Sequence, residues 1–520
     1  MMKNYFAFSF AMLIYLSVYS NNISVSEVSK ASTNTTQDYI MLQFTVSWEN
    51  SWRDAENYDA AWIFIKYRLA GAGGAWSHAT LNFINGTSDG HTAPAGSVIN
   101  TSNDGKGIFI YRNANGSGNV NYVNVQLRWN YGTDGLADNA LIDISVSAIE
   151  MVYVPQGSFW LGDGSSSDLH GQFESANSGN AFQVTSENAI TLGGGGLGSL
   201  GNNNRSGMAN NGLFSISPVS IDDFDDATSQ PLPVAFPKGF SAFYCMKYEI
   251  TQAQYVDFLN KLSAVQFATR YDAFNYSGSS GGFTATRYNI TGTHPNMVSV
   301  TPELPAIYVE WYDAAAYADW AALRPMSELE YEKACRGPLA PVANEFAWGT
   351  STINAVTYFP INNQGQTNEN VGAGFSTTSG NAWYDNTRAF DAITRVGIFA
   401  SHPSNTGRIT SGSTYWGIME MSGHCWERTV SVGRPESRNF TGTHGDGNLL
   451  ANGNANNTDW PGFTAWQGVN TAIGCGYRGG AFNFPSPIQL NLRVSSRILA
   501  TAFYNVRYYD DAARFVRTAN

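Results

Sequence analysis

Charge is scarce in this sequence. Lys and Arg number 29 and Asp and Glu 41 in 520 residues, or 13% charged, about half the share of roughly 25% usual in soluble globular proteins. No basic run occurs and the balance is −12, which excludes a nucleic-acid partner, because neutralising phosphates needs clustered Lys and Arg. An anionic membrane surface is excluded on the same ground. Cysteine is limited to Cys245, Cys335, Cys425 and Cys475, too widely spaced for a Cys-x-x-Cys metal knuckle. Past the first twenty residues no apolar run reaches the roughly 18–20 residues of a membrane span, and past Gly349 no stretch shows convincing helical periodicity. What replaces charge is glycine, at 52 residues, together with Asn, Ser and Thr, and an aromatic set of 14 Trp, 27 Tyr and 30 Phe. That aromatic content rules out a disordered chain.

The N-terminus reads Met1-Met2-Lys3-Asn4, then an apolar run from Tyr5 to Tyr19, then Ser20. A charged start, a short apolar stretch and Val18-Tyr19-Ser20 predict a signal peptide over residues 1–20. The protein is therefore expected to be secreted, periplasmic or at the cell surface, with no transmembrane anchor. In an oxidising compartment the four cysteines allow two disulfides in any of three connectivities; buried, unreactive thiols are the expected alternative.

Residues 30–150 are strand-like. Ile40 to Trp48, Trp62 to Tyr67, Gly107 to Tyr111 and Tyr122 to Trp129 are β-branched and aromatic, partly alternating, and separated by Gly/Asn/Ser turns. They predict an antiparallel β-sandwich domain. Its acidic cluster Asp54, Glu56 and Asp59 lacks calcium-loop spacing and reads as an exposed turn. From residue 151 to 520 long Gly/Ser/Asn loops carry short regular elements. Gly193 to Gly196 lacks the Lys-Ser/Thr ending of a phosphate loop and reads as a surface loop. Thr251-x-x-Gln254 and Ser327-x-x-Glu330 are capping boxes that open helices, and the Ala-rich stretch Asp313 to Leu323, with Tyr317 and Trp320, predicts a third.

Five segments in order carry a resemblance: Met151-Val152-Tyr153-Val154-Pro155-Gln156-Gly157-Ser158-Phe159-Trp160-Leu161-Gly162; Phe243 through Glu249-Ile250-Thr251 to Tyr255; Pro305-Ala306 through Trp311 to the helix ending Cys335-Arg336-Gly337; Gly417 through Ser422-Gly423-His424-Cys425-Trp426-Glu427-Arg428-Thr429; and Tyr477-Arg478-Gly479-Gly480-Ala481-Phe482, continuing to Arg493 through Arg497 and Ala513-Arg514-Phe515-Val516-Arg517. Together they resemble the formylglycine-generating, or sulfatase-modifying-factor, family. The resemblance implies an α+β, loop-rich variant of the C-type lectin fold with short strands and about three helices. The fourth segment is similar to the family's Gly-Asn-x-Trp-Glu-Trp-Thr signature, with His424 in place of Asn. Glu427, enclosed between Trp426 and Arg428, needs a cation or an arginine, since an unpaired buried charge costs several kcal/mol. The family offers a structural calcium held by the Glu427 carboxylate and the carbonyls of Ser422, Gly423 and Cys425; a Glu427–arginine pair is the other reading.

The family's chemistry does not carry over with its scaffold. Its enzymes oxidise a substrate cysteine with two copper-binding cysteines just after the Gly-Gly, and Cu(I) requires soft thiolates. Counted from Gly479-Gly480, those positions are Phe484 and Gln489, and the Ser that follows the glycines is Ala481. Copper is not expected. Other members of the superfamily use a His-ligated iron, usually with a helical domain, but the seven histidines here are scattered with no pair at i, i+4, so each is expected to be a surface or loop residue. The stretch Ile498 to Asp511 has a composition that fits either a core strand, where Tyr and Phe are ordinary residues, or a recognition surface, where tyrosines give rigid contact area at low entropy cost and Asn and Asp add polar specificity. A ligand cleft is expected near Trp426, Arg478, Phe482, Phe484, Tyr504, Asn505, Tyr508, Tyr509 and Asp510, for a protein, peptide or glycan. The alternative is an oxidoreductase with rearranged active-site residues.

Overall fold

The computed structural model describes residues 22–71, 74–165, 169–203, 224, 227–271, 287–385, 387–483 and 490–520. The expected signal peptide, Phe484 and Gln489 lie outside them.

The N-terminal strands are β1 (Ser24–Asn34), β2 (Tyr39–Arg53), β3 (Asp59–Leu69), β4 (Ser77–His78), β5 (Ser97–Thr101), β6 (Ile108–Arg112), β7 (Gly116–Trp129) and β8 (Ile142–Val154). They form two sheets. One is antiparallel in the order β1-β2-β7. In β2 the alternate residues Ile40, Leu42, Phe44, Val46 and Trp48 are buried, as are Val125, Leu127 and Trp129 of β7, as period-2 patterning requires of a sheet with one covered face. They share a core with Ala61, Ile63 and Ile65 of β3 and Ile108 and Ile110 of β6, which belong to the second sheet.

β3 explains a run that does not alternate. Trp62-Ile63-Phe64-Ile65 is continuously apolar because both its faces are covered: Ile63 and Ile65 face the first core, while Trp62 and Phe64 join a larger core with Tyr317 and Trp320. Phe64 meets Trp320 edge-on at 5.2 Å, and Trp62 Nε1 donates to the carbonyl of Ala321 at 2.9 Å. β8 then runs through the expected junction at residue 150. It pairs with β3 along its length and, from Met151 to Val154, with the strand Phe243–Met246, which pairs in turn with Val516–Thr518. One sheet therefore carries the chain from the N-terminal strands into the loop-rich half and back to the C-terminus.

Both expected capping boxes form, at Thr251/Gln254 ahead of the helix Gln252–Asn260 and at Ser327/Glu330 ahead of Glu328–Arg336. A third, Ser263/Gln266, opens Ala264–Arg270, which the sequence reading lacks. The Ala-rich helix spans Trp311–Trp320. Beyond Gly349 the described regular structure is short pairings, the four-residue helix Arg408–Ser411 and one 3-10 turn at Pro435–Ser437. Side chains replace the missing ladders: Asn381 Nδ2 donates to the carbonyls of Ser376 and Thr410 at 2.8 Å each, while its Oδ1 accepts from Tyr358 Oη and the Ser376 amide. The chain is thus α+β. No helix of the described residues is long and apolar enough to cross a membrane.

Scarce as it is, much of the charge lies inside. Every residue of Glu328–Arg336 is buried. The helix tolerates this because Glu328 accepts from Arg497 Nε at 2.7 Å and Arg478 Nη1 at 3.1 Å, and Glu332 accepts from Arg478 Nη2 at 2.7 Å. Paired and hydrogen-bonded charges avoid the penalty that isolated ones incur. The acidic cluster of the N-terminal half divides likewise. Asp54 and Glu56 are in an exposed turn, but Asp59 is buried, accepting from Trp48 Nε1, Ser51 Oγ and the Trp52 amide; the single-turn reading was wrong for it.

Candidate functional site

The Trp-Glu segment forms the strand Trp426–Val430, the middle of a three-stranded sheet. Cys475–Arg478 lies antiparallel on one side, with Glu427 opposite Arg478, and Asp511–Ala512 lies parallel on the other. Glu427 is buried, and its carboxylate receives three hydrogen bonds from Arg514: Nη2 to Oε1 at 2.7 Å, Nε to Oε1 at 3.0 Å and Nε to Oε2 at 2.9 Å. The same guanidinium donates to the carbonyls of Met246 at 2.9 Å and Met419 at 2.8 Å. Of the two readings for Glu427, an arginine fills the cationic role. A calcium ion would have to share both carboxylate oxygens with that guanidinium, so the residues present fit it poorly.

Gly479 and Gly480 follow with φ of +91° and +76°, a region costly for residues bearing a Cβ. A Cβ on Gly480 would lie 2.8 Å from Leu492 Cδ1. The turn is fastened to the preceding segment, with the Gly423 amide donating to the Gly479 carbonyl and the Phe482 amide to that of His424, both at 2.9 Å.

The residues expected to line a cleft separate into two groups. Trp426, Arg478, Phe482 and Asp510 are buried, and Arg478 is occupied by Glu328, Glu332 and the Val494 carbonyl. Tyr504, Asn505, Tyr508 and Tyr509 reach the surface, Tyr508 at 42% exposure. Their backbone is pinned from beneath. Arg428 Nη2 donates to the Tyr504 carbonyl at 2.9 Å, the Tyr308 amide to the Tyr508 carbonyl at 3.0 Å, and the Ala472 amide to Asn505 Oδ1 at 2.7 Å. Arg507 Nε and Nη2 donate to Asp313 at 2.7 and 2.9 Å. Tyr509 packs edge-on to Phe482 at 6.0 Å. The Tyr504 and Tyr508 carbonyls and the Asn505 side chain are thus held from the interior while parts of these residues reach the surface. Burial pushes the neighbouring carboxyls up, Asp510 to about 6 and Asp511 to about 8, so Asp511 is held largely protonated near neutrality and its Oδ2 accepts from Tyr477 Oη at 2.7 Å.

The cysteines are all free and all buried. Burial pushes the Cys475 thiol up to about 11 and Cys245 to about 12, and raises Cys335 and Cys425 as well. The copper centre of the oxidising enzymes needs two thiolates just after the Gly-Gly, where Phe484 and Gln489 stand, so the residues present do not fit it. His424 also departs from its expected setting. It is in the interior, its Nδ1 3.0 Å from Glu249 Oε1. Nothing in the segment Glu249-Ile250-Thr251 signals that partner; it is a contact between residues 175 positions apart.

Fold and site thus define a loop-rich α+β scaffold in which the Trp-Glu strand, the Gly-Gly turn and a C-terminal arginine lock together. A family model described as "Sulfatase-modifying factor enzyme 1-like domain" matches residues 214–483, just over half of the 520. The chain belongs to the sulfatase-modifying-factor family. Among curated proteins it is similar to a hercynine oxygenase of Mycolicibacterium smegmatis, at 27% identity over 25% of this chain and 22% of the relative. A formylglycine-generating enzyme of Bos taurus is 28% identical over 21% of this chain and 34% of its own. A formylglycine-generating enzyme of Streptomyces coelicolor is 48% identical over a 48-residue stretch, 9% of this chain and 15% of its own. The matched regions therefore span between about a seventh and a third of these relatives' lengths.

Proposed function

We propose that this is an exported ligand-binding member of the family, in which a β-sandwich over residues 30–150 is joined to a C-type-lectin-like domain over 151–520 that recognises a protein, peptide or glycan without catalysis. The leader over residues 1–20 supports export. The observation that carries the binding reading is the exchange of functions around the Gly-Gly turn. Phe484 and Gln489 stand where the copper cysteines of the oxidising enzymes would fall, and every thiol the chain has is buried. Tyr504, Asn505, Tyr508 and Tyr509 reach the surface, with the Tyr504 and Tyr508 carbonyls and the Asn505 side chain held by hydrogen bonds. Structural calcium at Glu427 does not enter this reading, since Arg514 engages that carboxylate. A second reading, an oxidoreductase with rearranged residues, is favoured by family membership alone.

The test is to screen the protein against a glycan array and a displayed peptide library, beside a Tyr504→Ala/Tyr508→Ala/Tyr509→Ala variant. Ligands retained by the parent are expected to weaken by at least about tenfold in the variant, since aromatic anchors each carry on the order of 1–2 kcal/mol or more. Equal binding by the two proteins, or no ligand in either screen, would remove the basis for the proposal.

A further inference from the structure

Beneath the surface residues of the C-terminal segment, a departure from the family signature and the residue next to it approach the same carboxylate. His424 stands where the signature has Asn, and Cys425 occupies the variable position next to it. Both side chains are buried, and so is Glu249. One ligand atom from each of Glu249, His424 and Cys425 lies within 4.8 Å of the other two. We propose that these three side chains form a zinc site: His424 Nδ1, the Cys425 thiolate and the Glu249 carboxylate as ligands, with the fourth position open toward Glu420.

Several independent features converge on this. Glu249 Oε2 and Glu420 Oε2 are both buried without a hydrogen-bond partner, and buried acceptors left unsatisfied are costly. The nearest cation to Glu249 Oε2 is Arg514 Nη2 at 3.9 Å, and that guanidinium is committed to Glu427, Met246 and Met419. Glu249, Glu420 and Glu427 thus lie around Arg514 and the His424 imidazole, with Arg395 also acting on Glu420, and the unpartnered oxygens of Glu249 and Glu420 are what a cation would engage. His424 has φ +71°, in the left-handed region where Asn, Asp and His are all enriched among non-glycine residues, so the backbone accepts His here as it accepts Asn.

The donor chemistry selects the metal. One thiolate, one imidazole and one carboxylate form a mixed S/N/O set suited to Zn²⁺, with bonds of about 2.0–2.3 Å. Ligand atoms around a tetrahedral zinc sit about 3.5 Å apart, so closing the present triangle takes side-chain adjustments of about an ångström. His424 Nε2 accepts from the Thr394 amide at 3.2 Å and lies 3.2 Å from the Thr394 carbonyl oxygen, so metal at Nδ1 requires Nε2–H to exchange the first contact for the second. Zinc binding expels the Cys425 thiol proton and any imidazolium proton to solvent, and leaves the remaining imidazole proton on Nε2.

The test uses the full chain expressed with supplemented zinc, and with cobalt in place of zinc. Elemental analysis should find about one zinc per folded chain. The cobalt-loaded protein should show a thiolate-to-cobalt charge-transfer band and tetrahedral d–d bands. His424→Asn and Cys425→Val should each lower the bound zinc about tenfold or more, and Cys425→Val should abolish the charge-transfer band. His424→Asn suits its backbone and Cys425→Val is close in volume, so circular dichroism should show both folded. A folded parent without stoichiometric zinc would overturn the site and leave a His424–Glu249 ion pair in its place. Zinc retained in both variants, or calcium found in all three proteins with no zinc, would overturn it equally.

Discussion

Replacing Arg514 by Met should destabilise the protein more than most single changes can. Its guanidinium makes three hydrogen bonds to Glu427 and one each to the carbonyls of Met246 and Met419. It therefore ties the Trp426–Val430 strand to Phe243–Met246 and to the segment entering the signature. Removing one partner of a buried ion pair costs about 3–5 kcal/mol, because the other charge is left in a low-dielectric interior. Two carbonyls also lose a donor, at about 1 kcal/mol each, so Arg514→Met should cost about 5–7 kcal/mol. Glu427→Gln keeps the shape and one acceptor and should cost about 2–3 kcal/mol. In the double variant neither charge remains, and the two losses should fall short of additivity by about 2–3 kcal/mol. Urea unfolding of the four proteins, each with excess calcium and with a calcium chelator, reads both terms. Coupling below about 0.5 kcal/mol would refute the pair. So would a chelator-induced loss in the parent that matches Glu427→Gln and vanishes in that variant, since calcium would then be the partner.

Other expectations follow from the same interior. Gly480→Ala should cost about 1–2 kcal/mol for a left-handed backbone and more for the 2.8 Å approach to Leu492, measured by urea unfolding; a neutral change would contradict the described turn. Burial holds Asp511 at about 8, so the folded state keeps a proton that the unfolded chain releases from about pH 4. The stability this group provides is full at low pH and is lost as pH rises through about 8. It should contribute a slope of about −1.4 kcal/mol per pH unit across that window. Between pH 6.5 and 8 stability should therefore fall, and Asp511→Asn should flatten the fall by about one proton's worth; an unchanged slope would contradict the assignment. A thiol-labelling reagent added to the native protein should modify none of the four buried cysteines rapidly and all four after unfolding; fast native labelling would show an accessible thiol.

What could be read from the sequence was what local pattern encodes. The strands at Ile40 to Trp48 and Tyr122 to Trp129 alternate because one face of their sheet is covered, and the helices beginning after Thr251 and Ser327 announce themselves through capping boxes. β1, by contrast, is a mostly exposed, polar strand of Ser, Lys and Asn with no hydrophobic pattern to reveal it. The need of Glu427 for a cation was legible, because an enclosed carboxylate demands one; the identity of Arg514 depended on tertiary placement. Arg478 and Trp426 were misplaced at a cleft for a related reason. Motif residues in a loop-rich fold serve its internal hydrogen bonding as readily as a ligand, and only burial separates the two. The contact of Glu249 with His424 spans 175 positions and leaves no trace in either local sequence.

The central claim is that this member of the family binds without oxidising. The most direct measurement is turnover of a cysteine-containing peptide by the full chain supplied with copper and oxygen, followed by mass spectrometry for loss of the thiol. No conversion above a protein-free control is predicted, because Phe484 and Gln489 supply no thiolate and the four thiols are buried. Catalytic conversion that disappears on replacing Cys425 or Cys475 by Ser would contradict the account.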